Sequence, residues 1–214
     1  MEQNIACKLT LERTHMHYVD LPPECPPQAG PGTVGFPEIG ICSEIDLDLT
    51  VRKACVSDVQ EVMKLINGFA VSKLMLPRGP RTLYENIRDF IVVCNESDGE
   101  NDGQDGSASG KKETIIACGG LHVLWGDMAE IRSVAVHPVF HRRGLGTRLV
   151  QYMEKDARRL GIKKLFTFTL AEEFFRSLGF EARSREQLPH VVWAECSCCP
   201  KFFNCDEIGM IKEL

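Results

Sequence analysis

An α/β architecture, a mixed central sheet with helices on both of its faces, is what this chain predicts, and three observations carry the expectation. Strand-like runs and amphipathic stretches follow one another in the order strand, helices, strand, strand, strand, helix, strand, helix, strand. Two of the intervening stretches repeat apolar residues at helical spacing along one face. The runs between them, "FIVVC" and "KKLFTFTL" among them, are short and rich in β-branched and aromatic residues.

The folded part is expected over residues 48–214, after an N-terminal arm over residues 1–47. Within that arm "LPPECPPQAGPGTVGFPEIG" holds six of the eleven prolines with four glycines, which forbids helix and disfavours any ladder. An extended or disordered Pro-rich extension follows from that. "DLDLTVRKA" alternates apolar and polar residues as a half-buried strand does. Ser57 and Asp58 then offer an N-cap with Glu61 as capping-box partner, and Val59, Val62, Met63, Ile66 and Phe69 share one helical face. A short helix over "RTLYENIRD" leads to the strand "FIVVC". The acidic, glycine-rich run that follows predicts a flexible hairpin loop over 95–113, and "ETIIACGGLHVLW" returns as a strand.

"AEIRSVAVHP" is the next strand, and residues 143–160 form a helix whose stripe is Leu145, Leu149, Met153, Ala157 and Leu160, ended by Gly161. "KKLFTFTL" is a strand, "EEFFRSLG" a helix closed by Gly179, and "EIGMIKEL" the last strand.

A length of 214 residues suits one domain with an appendage. The net charge of −5 argues against general nucleic-acid binding, which needs a surplus of Lys and Arg. No apolar run approaches the roughly 20 residues that cross a bilayer, so no membrane partner is expected. The N-terminus "MEQNIACKLTLERTHMHYVD" has no apolar signal region, and ten cysteines without one point to reduced thiols in a cytoplasmic protein. A homodimer is the commonest oligomeric expectation.

Chemistry concentrates in "SVAVHPVFHRRGLGTRL". A strand delivers the chain to a basic, glycine-punctuated turn that opens a helix. Helix N-termini carry unpartnered N–H groups and about half a positive charge, and glycines let a phosphate oxygen come close. Gly144 and Gly146 supply that access, Arg142 and Arg143 add charge, and Thr147 adds a hydroxyl. Neither the G-x-G-x-x-G spacing of dinucleotide sites nor the Lys-Ser/Thr pair of a nucleoside-triphosphate loop is present.

"AVHPVFHRRGLGTRLV", followed by "FRSLGF", resembles the Gcn5-related N-acetyltransferases, whose coenzyme A signature is Arg/Gln-x-x-Gly-x-Gly/Ala. "LPRGPRTLYENIRDF", "CGGLHVLWGDMAEIRSVAVHP", "KKLFTFTLAEEFFRSLGF" and the C-terminal "CPKF...CDEIGMIKEL" are similar to the amino-acid acetyltransferase (N-acetylglutamate synthase) branch, in its short form without an amino-acid-kinase domain. The resemblance implies acetyl transfer from acetyl-CoA to the α-amine of an amino acid, L-glutamate above all, in arginine synthesis. The same chemistry on glutamine, a polyamine or a protein lysine, or a non-catalytic acetyl-CoA sensor, stays open.

The resemblance also implies site residues. His141, Leu145 and their neighbours form the diphosphate loop, with His141 standing at the signature's first position. Val134, Ala135 and Val136 match a splayed strand that holds the pantetheine arm, the Val134 N–H polarising the thioester. Glu130 matches the general base, and a carboxylate is suited to deprotonating an amine directly or through water. Where many relatives carry a tyrosine acid this chain has Phe175, and Thr169 at the strand end matches the hydroxyl of the glutamate-acetylating relatives as the candidate proton donor. Arg78, Arg81 and Lys201 match positions that grip substrate carboxylates, and Ser133 a substrate contact.

One further cluster is read from spacing alone. "CSCCPKFFNC" lies in a Cys-rich segment, 190–206, where Cys196 and Cys199 form a C-x-x-C knuckle that Cys205 or His190 could complete as a structural zinc site. Reduced thiols without metal are the competing reading, with an iron–sulfur or redox role behind both.

Overall fold

Along the chain the elements are β1 (Leu49–Lys53), α1 (Val59–Val71), α2 (Pro80–Glu85), β2 (Phe90–Ser97), β3 (Lys112–Trp125), β4 (Met128–Val136), α3 (Leu145–Arg159), β5 (Lys164–Thr169), α4 (Glu172–Ser177), β6 (Glu181–Arg183), α5 (Trp193–Cys196) and β7 (Ile208–Glu213). They belong to a computed structural model that describes residues 49–97, 112–184, 187–197 and 199–214. The arm expected over 1–47 lies outside the described residues, which begin at Leu49 in β1. So do residues 98–111 of the expected loop; its flanks, Asn95 to Ser97 and Lys112 to Thr114, are paired strand.

The strands form one mixed sheet in the order β1-β2-β3-β4-β5-β7-β6. Every neighbouring pair is antiparallel except β4 and β5. Because side chains alternate across a strand, β2 can be apolar from Phe90 to Cys94 only if both faces are covered. Both are. Phe90, Val92 and Cys94 pack beneath α1 and α2 with Val59, Val62, Leu65, Ile66 and Leu83. Ile91 and Val93 face the other way, toward Leu145, Leu149, Val150, Met153 and Ala157 of α3. A smaller cluster, Met128, Phe166, Leu188 and Val192, closes the far side of β5.

Three local expectations change. The N-cap box moves upstream: Cys55 caps a 3-10 turn over Val56–Asp58, and the Asp58 carboxylate accepts the Cys55 N–H at 2.7 Å. Arg52 holds that same carboxylate at 2.7 Å, so Asp58 is drawn into an ion pair, while Glu61 accepts the Ile115 N–H at 3.3 Å. Leu160 leaves the α3 stripe and is 59% exposed. Gly161, at φ +79°, reverses the chain, and the Ile162 N–H closes on the Ala157 carbonyl at 3.0 Å. In that left-handed cap the residue after glycine goes inward, so Ile162 is buried instead. The "SLGF" ending of α4 repeats the device with Gly179 and Phe180. Lastly, β6 and α5 are elements that the sequence pattern did not mark; at three and four residues they carry no readable period.

Candidate active site

The two parallel strands at the centre of the sheet stay together for only three residues, Met128↔Lys164, Ala129↔Leu165 and Glu130↔Phe166. Past Glu130 they part. On the other flank of β4, Cys118 faces Ala135 and Gly120 faces Arg132, so Ser133 and Val134 together oppose Gly119. This is a β-bulge, with Ser133 at φ +55°, and bulges bend and over-twist the strand that carries them. The wedge between the parting strands opens a cavity of about 990 Å³. Its walls are β4 from Glu130, β5 from Phe166, the turn into α3, Phe174 and Phe175 of α4, and the 74–78 segment after α1.

At one end of the cavity stands the helix start singled out in the sequence. The first intrahelical bond runs from the Arg148 N–H to the Gly144 carbonyl at 3.0 Å, which puts the N–H groups of Leu145, Gly146 and Thr147 ahead of it. Gly144 has φ +75°, and a Cβ placed there would meet nothing within 4 Å, so the space before the helix is open to a ligand. Gly146 has a different reason to be glycine: a Cβ would stand 3.1 Å from Phe174. Arg142, at φ +60°, and Thr147 line the cavity. Arg143 does not; its guanidinium lies over the Phe140 ring, 5.6 Å from the centroid. His141 lines the cavity too, stacks on Phe69 and, through Nε2, bonds the Val136 carbonyl at 2.7 Å, so its ring braces the turn. These residues suit a diphosphate.

Glu130, Ser133, Val134, Val136 and Thr169 all line the same space. Ala135 turns its side chain away, under α1 and α2. Thr169 is buried, and its hydroxyl oxygen accepts the Ala171 N–H at 2.9 Å, an acceptor role that leaves the hydroxyl proton to be given elsewhere.

At the other end Arg78 enters from the 74–78 segment, held by a two-way clasp: Asn67 accepts its N–H at 2.9 Å and donates to its carbonyl at 3.1 Å. Glu207, just before β7, lines the cavity near Arg78; burial pushes its carboxyl upward, against the pull of Lys201 and Arg78. Arg81 and Lys201 are elsewhere. Arg81 is 89% exposed and pairs with Glu85, while Lys201 pairs with Asp206 at 3.0 Å, outside the cavity wall.

Cys196 and Cys199 also line this end, and Cys205 does not. Burial first, then the negative charge of Cys205, Glu130, Cys199 and Glu207, pushes the Cys196 thiol up to about 11. Among the described residues no three Cys, His, Asp or Glu side chains converge as a metal site would need, so these cysteines do not fit the structural zinc the spacing suggested. Cys198 lies outside the described residues.

Two wall residues were not read from the sequence. Glu207 sits in a loop and offers no pattern. Arg132 offered one, since it follows Glu130 by two on an alternating strand and so shares its face. Among the described residues no helix is long and apolar enough to cross a membrane.

Comparison with known proteins agrees with this geometry. The acetyltransferase (GNAT) family matches residues 79–180. An uncharacterised N-acetyltransferase of Chlorobaculum tepidum is 32% identical over 167 residues, covering 78% of this chain and 97% of the relative. The amino-acid acetyltransferase of Mycobacterium tuberculosis is 35% identical over 130 residues, covering 61% of this chain and 67% of the relative. Among solved structures, a Mycobacterium tuberculosis protein in complex with CoA and NLQ superposes with a TM-score of 0.58 at 29% identity, over 77% of this chain and 99% of that one.

Proposed function

This chain belongs to the acetyltransferase (GNAT) family and is an acetyl-CoA-dependent N-acetyltransferase, and from that premise we propose that its acceptor is the α-amino group of a free amino acid, L-glutamate first, in arginine synthesis. The observation that carries the reading is the parting of β4 from β5 past Glu130. It joins a helix start shaped for a diphosphate to a carboxylate beside the Arg132 guanidinium, with Arg78 on the wall of the same cavity.

The residues divide the work along that cavity. The N–H groups opening α3 and the Arg142 side chain receive the diphosphate of acetyl-CoA. The β4 edge from Ser133 to Val136, unpaired by β5, offers backbone groups to the pantetheine arm, and the Val134 N–H polarises the thioester carbonyl. Glu130 takes the proton from the acceptor ammonium, directly or through water, and frees the nitrogen lone pair. Nitrogen then bonds to the acyl carbon as the carbon–sulfur bond breaks. The bonded nitrogen still carries one proton more than the amide needs, and that proton passes to the departing sulfur; Phe175 has no proton to give, so the Thr169 hydroxyl hydrogen-bonds the sulfur as it leaves. Arg78 grips an acceptor carboxylate.

The relative named amino-acid acetyltransferase supports a small amino-acid acceptor over a protein lysine, as do the guanidinium groups at the acceptor end. The test is a thiol-release assay with acetyl-CoA and a panel of amino acids, polyamines and lysine peptides. Saturable release is expected with glutamate or its amide; release with polyamines or peptides alone would reject the reading.

A further inference from the structure

Arg132 is the cation of this cavity whose surroundings are most built. Its side chain is 9% exposed yet lines the cavity. One edge of the guanidinium is anchored from behind: Nη2 donates to the Asn86 side-chain oxygen at 3.3 Å and lies 3.7 Å from the Asp89 carboxylate. Both anchors are themselves fixed. The Asn86 amide donates to the Thr82 carbonyl at 2.8 Å, at the end of α2, and Asp89 shares a 2.6 Å hydrogen bond with His122 of β3. The other edge, Nη1, is turned to Glu130, 3.8 Å from its Oε2. That is too long for a hydrogen bond and short enough for a charge pair.

We infer that Arg132 and Glu130 together read the α-amino-acid group itself, Arg132 taking the α-carboxylate while Glu130 faces the α-amine. This rests on the amino-acid reading above and names the feature that selects that class. In an α-amino acid the carboxylate and the amine hang on one carbon. A guanidinium and a carboxylate side by side on the cavity wall are the complement of that arrangement, and a polyamine or a lysine side chain lacks the group that Arg132 would hold. With Arg132 on the α-carboxylate, Arg78 is left for the second carboxylate of glutamate. Arginine suits the anchored role because its planar fork meets a carboxylate through two parallel bonds, whereas lysine meets it as a point charge. Asp89 and Asn86 act as positioning residues, since Asp89 touches Arg132 and is not among the wall residues.

The test compares acceptors that differ only at the α-carboxyl group: L-glutamate against its α-carboxamide, and L-glutamine against its α-carboxamide, each with acetyl-CoA. For the wild-type protein, kcat/KM should favour the α-carboxylate by about tenfold to a hundredfold, the worth of a lost charge-assisted pair. Arg132→Gln should bring that ratio close to one, while Arg78→Ala leaves it standing. Asp89→Asn should raise KM for the amino acid and leave KM for acetyl-CoA unchanged. A wild-type protein indifferent to the α-carboxyl group overturns the inference without recourse to any variant, as does an Arg132→Gln protein that keeps the preference. Absence of thiol release with every amino acid tested would reject the amino-acid reading as well, so the two failures are told apart.

Discussion

The two ends of the cavity are made in different ways. The donor end is nearly one piece of chain: bulge, strand end, turn and helix start run without a break from Ser133 to Thr147. The acceptor end gathers single residues from far apart, with Arg78 between the first two helices, Glu130 and Arg132 on β4, Cys196 in α5 and Glu207 before β7. A contiguous site keeps its geometry through backbone conformation, as at Arg142 and Gly144, where left-handed angles shape the turn. A gathered site depends on the sheet order that brings the strands together, and on clasps such as Asn67 around Arg78. Changes at the donor end should therefore act on cosubstrate affinity and on folding. Changes at the acceptor end should act on turnover and on acceptor affinity.

The largest effect is expected at Glu130. Glu130→Gln should lower kcat at pH 7 by about 10²- to 10⁴-fold with KM for acetyl-CoA little changed, measured by thiol release. A variant that lost affinity for acetyl-CoA instead would erase the division between the two ends. Next is Arg78→Ala, which should raise KM for glutamate by roughly tenfold or more and spare acetyl-CoA. At the donor end Gly146→Ala forces a Cβ toward Phe174, so about 1–3 kcal/mol of stability should be lost in denaturant titration, with a weaker KM for acetyl-CoA. The double variant with Phe174→Leu should recover most of that stability. Unchanged stability in Gly146→Ala would mean that Phe174 yields freely.

The smallest effect is on Cys196. Burial pushes its thiol up to about 11, against about 8.5 for an ordinary cysteine. The native state thus disfavours the thiolate, and this residue's contribution to stability is whole below about 8.5 and declines as pH rises toward 11. Alkylation of Cys196, followed by peptide mass spectrometry, should keep accelerating from pH 8 to 10 and slow when glutamate is bound. Labelling that levels off near pH 8.5 would place this thiol in water and away from the acceptor end.

What could be read in the chain follows the same division. The glycine-punctuated turn suited to an anion was legible because its physics is local: glycines, arginines and a helix start within a few residues. The helix endings "LGI" and "SLGF" were legible in kind, although the cap geometry sends Ile162 inward in place of Leu160. The resemblance points to Arg81 and Lys201 by their position along the chain, and the structure pairs them with their own neighbours, Glu85 and Asp206. Arg132 is not legible in the sequence, because an arginine on an alternating strand reads as a solvated position, and only the fold brings Asn86 at the end of α2 against it.

By itself the sequence determined the alternation of elements, the apolar faces that the sheet must cover on both sides, and a helix start suited to an anion; each depends on neighbours within a turn or two of chain. The tertiary structure alone decided where β4 and β5 part, that Ser133 lies in a bulge, which cations enter the cavity and which stay outside, and that Cys196 and Cys199 stand in the cavity wall while no three metal-ligating side chains converge among the described residues. Those outcomes depend on strand order and on contacts between segments tens of residues apart, and no local pattern of residues encodes them.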